Sequence, residues 1–220
     1  MIGKPIDFPT LIPKFDAILA RGLSIGLGKR DGQMCIEAAI CAALDLPHGD
    51  EPDCVSRAVR NYKVTLNDKN WSNTISRAVG LRNLGIAQIG SKDIVDDKEF
   101  TQRLAKKTIS VLIPTLFREI FPTNRLCLDA AFKCEKEGTK ETANAAAVDA
   151  ADAAGYAAVA ADAAYAANAS YATYFTANAS YAGRNKYLLL SASLALEVLQ
   201  ELRSPGCEWI GKGITSDVHV

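Results

Sequence analysis

The stretch that decides the fold runs from residue 143 to residue 182 and reads ANAAAVDAADAAGYAAVAADAAYAANASYATYFTANASYA. Alanine occupies 21 of these 40 positions, and because alanine has the highest helix propensity, the stretch is expected to be helical on local grounds alone. One continuous helix would measure about 60 Å, which is too long for a compact domain of this chain length. We therefore predict that the helix breaks, near Asn168–Ser170 or at Gly183, or that it projects into an oligomer.

The rest of the chain also shows helical periodicity. Apolar residues recur three and four positions apart, and period-two alternation is almost absent. The sequence predicts an all-α bundle of roughly seven or eight helices, with the long Ala-rich helix near its centre. We expect one helical domain over residues 1–205, with mixed-sequence helices in 1–138 and the Ala-rich and final helices in 139–205. A loosely ordered tail is expected over 206–220.

Capping residues, glycines and prolines indicate where the helices begin and end. Pro114 is expected to kink or divide its helix, because proline lacks an N–H and clashes with the preceding turn. Gly138 is expected to end a helix in the left-handed conformation. The predicted helices begin at about Pro13, Asp31 or Gly32, Asp50 or Asp53, Ser72, Asp96 or Asp97, Thr123, Thr139 and Asn185.

Composition limits the classes of function. The 25 basic and 25 acidic side chains give a net charge of zero, which argues against a nucleic-acid partner held by bulk charge and against a disordered charged tail. The N-terminus has no signal-peptide pattern, and no apolar window reaches the length of a membrane span. The six cysteines are then expected to be free thiols. We expect a cytoplasmic protein, in a bacterial cell or in the cytosol of an infected host.

The Ala-rich stretch carries a strip of polar and aromatic side chains. At about 100° per residue, four of its five tyrosines fall within an arc of about 80°, and Tyr165 falls opposite. The strip predicts a ligand groove in which flat rings stack a base. The alternatives are the margin of a buried central helix and a seam between two helices. The side chains in the arc are Tyr156, Tyr171, Tyr174, Asn178 and Tyr181, together with Asp149.

Two parts of the sequence resemble known proteins. The AADAA and ANASYA units resemble Ala-rich helical tracts in uncharacterised bacterial and phage proteins, some of which are labelled as immunity proteins. The stretches GLGKRDGQMCIEAAICAALDLPHGDEPDC (26–54) and VRNYKVTLNDKNWS (59–72) are similar to a family of hypothetical proteins of phages and their hosts. The resemblance covers most of the chain. It implies a role in conflict between phage and host and assigns no catalytic residue.

The loop from Gly22 to Lys29, GLSIGLGK, has glycines like those of a phosphate-binding P-loop. Its glycine spacing is one residue too long, Arg30 replaces the expected Ser or Thr, and a helix precedes it, so a nucleoside-triphosphatase is not expected. Lys29 and Arg30 lie just before a predicted helix N-terminus, where free N–H groups favour anions, so we predict phosphate binding there. The alternative is a solvated loop whose glycines only turn the chain.

Cys35 and His48 are the weak catalytic candidates. Cys35 falls in the first turn of its predicted helix, where a thiolate would be stabilised, and His48 oriented by Asp50 would complete a cysteine hydrolase. The alternative is a buried cysteine that packs as a small apolar residue. No cofactor and no metal are expected, because Cys35, Cys41, His48 and Cys54 are spaced unlike the tight pairs of zinc sites. An all-carboxylate magnesium site stays open.

Basic residues concentrate between positions 57 and 82, with Tyr62 and Trp71 among them. Arginine forks and aromatic rings suit the phosphates and base of a nucleotide. The alternative is a solvated face with ion pairs to Glu51, Asp53 and Asp68. The ligand-binding candidates in this segment are Arg57, Arg60, Arg77 and Arg82, and its lysines are Lys63 and Lys69.

Together these patterns predict a non-catalytic binding protein. It would sequester a small anionic ligand, of the cyclic-nucleotide or ADP-ribose type, as a phage sponge for a host immune signal. Stoichiometric capture needs high affinity and slow release, and it needs no general base. The alternatives are a helical protein-interaction module, such as an immunity or inhibitor protein, and a Cys-dependent hydrolase. A homo-oligomer fits each of these functions.

Overall fold

The computed structural model describes residues 6–154 and 181–211, and this part of the chain is helical. The α-helices are α1 (Phe8–Leu19), α2 (Ile36–Ala43), α3 (Arg57–Asn67), α4 (Thr74–Ala87), α5 (Asp97–Lys107), α6 (Ile113–Ile120), α7 (Arg125–Glu137), α8 (Lys140–Ala154) and α9 (Tyr181–Glu201). A π-helical turn, Thr108–Leu112, joins α5 to α6, and a 3-10 helix, Pro205–Trp209, follows α9. The all-α prediction is confirmed. None of the helices in these ranges is long and apolar enough to cross a membrane.

Helix α4 lies at the centre of the described bundle, where it packs against α1, α2, α9 and the 3-10 helix. The Ala-rich α8 instead packs mainly against α7 and the π-helical turn. It buries Ala143, Ala146 and Ala147 and leaves Val148 exposed. The prediction of a central Ala-rich helix is therefore wrong for α8. Methyl groups offer little apolar area to bury, so the centre collects larger side chains such as Leu84 of α4.

The predicted start of α1 is wrong because the helix continues through Pro13. Asp7 caps α1, its carboxylate accepting a hydrogen bond from the backbone N–H of Thr10 at 3.3 Å. Pro9 occupies the first turn, where a missing N–H costs nothing.

Helices α2 and α3 also begin later than predicted. Residues 22–34 form a loop that folds back on itself, since Ser24 N–H donates to the Met34 carbonyl at 3.0 Å. Helix α2 therefore begins at Ile36 rather than at Asp31 or Gly32.

The first turn of α3 is capped by a residue distant in sequence. Asp97 accepts a hydrogen bond from the backbone N–H of Ala58 at 3.1 Å. The predicted local caps, Asp50 and Asp53, are not used in this way, and α3 begins at Arg57.

Proline and glycine explain the remaining boundaries. Of the kink or division predicted at Pro114, a division does not occur, because α5, the π-helical turn and α6 follow one another without a break and the π-helical turn ends two residues before Pro114. Gly138 ends α7 with φ of 62°, as predicted. The predicted break at Gly183 is wrong, because α9 runs through that residue. The other predicted break, Asn168–Ser170, lies outside the described residues.

The chain after α9 continues into the 3-10 helix, whose Gly206 packs against the end of α4. Gly206 N–H donates to the Ile89 carbonyl at 3.0 Å. A Cβ atom at Gly206 would lie 2.0 Å from the Ile86 carbonyl oxygen, so this contact requires glycine. Trp209 stacks on Phe8 with ring centroids 5.2 Å apart, which joins the two ends of the described chain.

A buried ion pair links three helices of the bundle. The Nζ atom of Lys63, on α3, lies 3.1 Å from a carboxylate oxygen of Glu37, on α2, and both side chains are fully buried. Gln88, which follows α4, donates from its amide to the other carboxylate oxygen at 2.8 Å. Burial raises the pKa of Glu37 and lowers the pKa of Lys63, while the charge of each residue opposes the shift of the other.

We expect Lys63→Met to lower the free energy of unfolding by about 3–5 kcal/mol, because it leaves a buried carboxylate without its counter-charge. The double variant Glu37→Gln, Lys63→Met removes both charges and keeps an acceptor for Gln88, so it should regain most of that loss. Urea unfolding followed by circular dichroism measures both changes.

The loss in Lys63→Met should grow as the pH rises. Without Lys63, the pKa of Glu37 rises further above its ordinary value of 4.5. The folded state then favours the protonated carboxyl, and this contribution to stability is lost as the pH rises through the folded pKa. A loss that is equal at every pH, or a double variant as unstable as the single one, would contradict the pairing.

Candidate functional site

The arginines of the predicted basic cluster do not converge on one site. The side chain of Arg77 is buried, and its guanidinium donates to the Leu23 carbonyl at 2.7 Å and to the Lys69 carbonyl at 3.4 Å. It therefore fastens the start of the Gly-rich loop to α4. Lys63, from the same stretch, is buried in its ion pair with Glu37.

Arg82 and Arg60 are also engaged by neighbouring groups. Arg82 holds both carboxylate oxygens of Asp16, at 2.7 and 2.8 Å, and so joins α4 to α1. Arg60 donates to the Asp50 carbonyl at 2.7 Å and lies 2.9 Å from a carboxylate oxygen of Glu51. Arg60 therefore lies on an ion-paired surface, which was the alternative to a ligand site for this segment.

Two backbone N–H groups of the Gly-rich loop already donate hydrogen bonds to other groups of the protein. Gly26 N–H donates to the Asp68 carboxylate at 2.9 Å, and Lys29 N–H donates to the Gln33 carbonyl at 2.9 Å. Lys29 and Arg30 are exposed, but α2 begins only at Ile36. The predicted phosphate site at Lys29 and Arg30 therefore lacks the adjacent helix N-terminus on which its rationale depended.

Backbone N–H groups in the first turn of α2 donate hydrogen bonds to side chains of the protein. The side chain of Asn67 accepts from Ile36 N–H at 3.2 Å and donates to the Ser24 carbonyl at 2.9 Å. The Sγ atom of Cys35 accepts from Ala38 N–H at 3.4 Å, so Cys35 caps the helix. These bonds occupy N–H groups that an anion would otherwise contact.

The thiol of Cys35 is buried, and burial raises its pKa above the ordinary value. This is the opposite of the shift that activates a nucleophile. His48 contacts the Gly28 carbonyl through Nε2 at 3.3 Å. It lines a shallow surface cleft that includes Cys41 and Asp50 and does not include Cys35. The described geometry therefore gives no support to a catalytic pair of Cys35 and His48.

The tyrosine strip is not tested by the structure. Tyr156, Tyr171, Tyr174 and Asn178 lie outside the described residues. Tyr181 is the first residue of α9. The groove predicted from these side chains stays a prediction.

One surface cleft brings a predicted arginine together with further polar groups. It lies between α3 and α5 and has a volume of about 410 Å³. Arg57 and Lys98 are exposed at the cleft, and Asn61, Thr101 and Gln102 add amide and hydroxyl groups.

Two aromatic residues form the floor of the α3–α5 cleft. The rings of Tyr62 and Phe100 meet edge to face with centroids 6.4 Å apart. Both residues are almost fully buried, and the Tyr62 hydroxyl donates to the Ser191 carbonyl at 2.9 Å. The floor is therefore part of the packed interior, and α9 holds its Tyr62 in place.

The charge balance of the cleft is positive. The guanidinium of Arg57 is 84% exposed and lies 3.9 Å from a carboxylate oxygen of Asp97, which also lines the cleft. Asp97 already accepts hydrogen bonds from Ser56 Oγ and from Ala58 N–H. With Lys98, two cations stand against one carboxylate whose charge is partly satisfied.

The sequence alone did not single out Lys98, Asn61, Thr101 or Gln102. Asn61 lies one turn after Arg57 on α3, whereas Lys98, Thr101 and Gln102 reach the cleft because α5 packs against α3, although the two helices start 40 positions apart in the chain. Nothing in the local pattern of either helix indicates this pairing.

A second surface feature is the face formed by α4 and α9, which we call the α4–α9 face. Ile75, Val79 and Leu189 are exposed on it, and Val79 has 71% of its surface exposed. A groove of about 400 Å³ lies beside them. Its lining contains no charged side chain and consists of Val79, Gly80, Asn83, Leu84, Leu189, Leu190, Ala192, Ser193 and Leu196.

Comparison with known proteins finds no matching family model, no matching curated protein and no matching solved structure. Across residues 6–154 and 181–211, no group of three or more His, Cys, Asp or Glu side chains is placed to hold a metal ion. The function is therefore inferred from the geometry of the α3–α5 cleft and of the α4–α9 face.

We expect Cys35→Ser to be more stable than Cys35→Ala, because serine keeps an acceptor for Ala38 N–H. Loss of an N-cap side chain costs about 0.5–2 kcal/mol. Thermal and urea unfolding of the two variants measure the difference.

Cys41, buried on the same helix and not at its cap, is the matched control. There we expect no advantage of serine over alanine, since a buried hydroxyl would gain no capping bond. Equal stability of Cys35→Ser and Cys35→Ala would refute the capping role of Cys35.

Proposed function

We propose that this protein is a non-catalytic binding protein that takes up a small anionic, nucleotide-derived ligand in the α3–α5 cleft. The observation that carries the proposal is the exposure of Arg57 and Lys98 above an aromatic floor in one cleft. Its volume of about 410 Å³ falls within the usual range of small-molecule sites, about 300–1,000 Å³.

Each group at the cleft has a counterpart in such a ligand. The guanidinium of Arg57 can hold two phosphate oxygens at once, and Lys98 adds a second positive charge. The amides of Asn61 and Gln102 can both donate and accept, as the edges of a base or the hydroxyls of a ribose require. Tyr62 and Phe100 add apolar lining at the bottom of the cleft.

Binding without catalysis agrees with the state of the Cys35 thiol, which was the candidate nucleophile. Cys35 is buried, has a raised pKa and uses its sulfur as a helix cap. In the phage setting implied by the sequence resemblance, the protein would act in the cytosol by withdrawing a host nucleotide signal. Such a role depends on affinity and slow release.

A second candidate function is a helical protein-interaction module of the immunity or inhibitor type. The uncharged α4–α9 face favours it, because exposed apolar side chains beside a groove are typical of surfaces that bind a protein. This function would use different residues from the cleft, so variants can separate the two.

The test is uptake of nucleotides by the full-length protein. We expect at least one member of a panel of cyclic dinucleotides, cyclic mononucleotides and ADP-ribose derivatives to bind in equilibrium dialysis. The ligand should be recovered unchanged after heat denaturation and chromatography. The double variant Arg57→Gln, Lys98→Gln should weaken binding about tenfold or more, since a charge-assisted hydrogen bond contributes about 1.5–3 kcal/mol.

Arg125→Gln is the matched control, because Arg125 is the exposed first residue of α7 just as Arg57 is the exposed first residue of α3. It should leave binding unchanged. Absence of uptake across the panel would overturn the proposal, and recovery of an altered nucleotide would show an enzyme instead. Binding that the double variant retains in full would remove the cleft from the proposal.

A further inference from the structure

A second cleft lies directly beside the α3–α5 cleft. It has a volume of about 540 Å³ and is lined by the start of α3, the start of α5 and the turn that precedes α5, so we call it the 92–97 cleft. Arg57 and Asp97 line both clefts and form the boundary between them. A phosphate held by the exposed guanidinium of Arg57 therefore lies at the opening of both clefts.

The two clefts differ in their balance of charge. In the α3–α5 cleft, two cations stand against one carboxylate. In the 92–97 cleft, the cations are Arg57 and Lys92, and the carboxylates are Asp93, Asp96 and Asp97. A phosphate is therefore favoured on the α3–α5 side of the boundary and disfavoured on the other side. The 92–97 cleft suits a neutral group that donates hydrogen bonds.

The carboxylate of Asp93 is the acceptor in the 92–97 cleft that such a group would meet. Asp96 and Asp97 already accept hydrogen bonds from backbone N–H groups at 2.7 and 3.1 Å, whereas Asp93 is exposed at the cleft. A carboxylate can accept from both neighbouring hydroxyls of a ribose. Ile94, which is 58% exposed in the same cleft, offers apolar contact to a sugar ring or a base.

The turn that carries Asp93 and Ile94 is held in place by the rest of the protein. Lys92 N–H donates to the Cys54 carbonyl at 3.1 Å, and the hydroxyl of Ser91 accepts from the backbone N–H of Ser56 at 2.9 Å. These bonds fix the turn beside the start of α3. Because the groups are already in position, binding a ligand costs little additional ordering.

We propose that the ligand of the α3–α5 cleft carries a second ribose unit, joined through its phosphates, which lies in the 92–97 cleft with its hydroxyls on Asp93. This inference rests on the proposed function and specifies the class of its ligand. Dinucleotides and compounds of the ADP-ribose type have two ribose units joined by phosphates. A mononucleotide would fill one cleft and leave the other empty.

Two pairs of probes test the second ribose unit by equilibrium dialysis with the full-length protein. ADP-ribose and ADP share an adenosine and a diphosphate and differ in the second ribose, and cyclic di-AMP is paired with AMP. In at least one pair, the two-ribose probe should bind about tenfold tighter or better, which corresponds to at least about 1.4 kcal/mol. Charge alone predicts the opposite order for the first pair, because ADP carries more negative charge than ADP-ribose.

The double variant Asp93→Asn, Ile94→Ser should remove this preference. Its affinity for the two-ribose probe should fall to that for the one-ribose probe, which should itself stay unchanged. Asp93 has φ of 64°, and asparagine tolerates this left-handed conformation. Since both side chains are exposed, the variant should keep the wild-type circular dichroism and melting temperature.

The matched control is the double variant Asp45→Asn, Ile75→Ser. Asp45 is also an exposed left-handed aspartate, with φ of 59°, and Ile75 is 49% exposed on α4, and neither lines the two clefts. It should bind all four probes like the wild type.

The outcomes separate this inference from the proposed function. Equal affinities within both pairs, uptake of one-ribose nucleotides alone, or a preference that Asp93→Asn, Ile94→Ser retains would overturn the second ribose unit and leave the proposed function standing. Absence of uptake for every nucleotide overturns the proposed function, and this inference falls with it.

Discussion

The described bundle depends on one buried ion pair, between Glu37 of α2 and Lys63 of α3, to which Gln88 adds a bond from the end of α4. Taking two charges out of water is costly, and the cost is recovered only when the partners are held at the right distance. A shift of one helix that separated Glu37 from Lys63 would leave an unpaired buried charge, so the ion pair disfavours such shifts of α2 relative to α3.

Three of the arginines that the sequence suggested for ligand binding, Arg60, Arg77 and Arg82, bind neighbouring protein groups instead. Arg77 and Arg82 each attach α4 to another segment of the chain. Arg57 differs, because its guanidinium extends into solvent beside a cleft. Because most of the other arginines already bind protein groups, the cleft beside Arg57 is the best candidate for a ligand site.

Local sequence predicted those features that depend on local chemistry. Helical periodicity, the left-handed Gly138 and the irregular helical turn just before Pro114 follow from propensity and from backbone sterics. Features that depend on distant residues were missed. Asp97 caps α3 from across the bundle, and Lys98 reaches the cleft only through the packing of α5 on α3. No single-sequence pattern contains those contacts, since they arise from the tertiary arrangement.

The π-helical turn between α5 and α6 changes which side of this helical segment faces its neighbours. One extra residue in a turn rotates everything after it by about 100° about the helix axis. The same rod therefore shows its apolar stripe to α3 and α9 before the turn and to α7 after it. Removing one residue from the π-helical turn would therefore turn one of these two apolar stripes away from its partner helices.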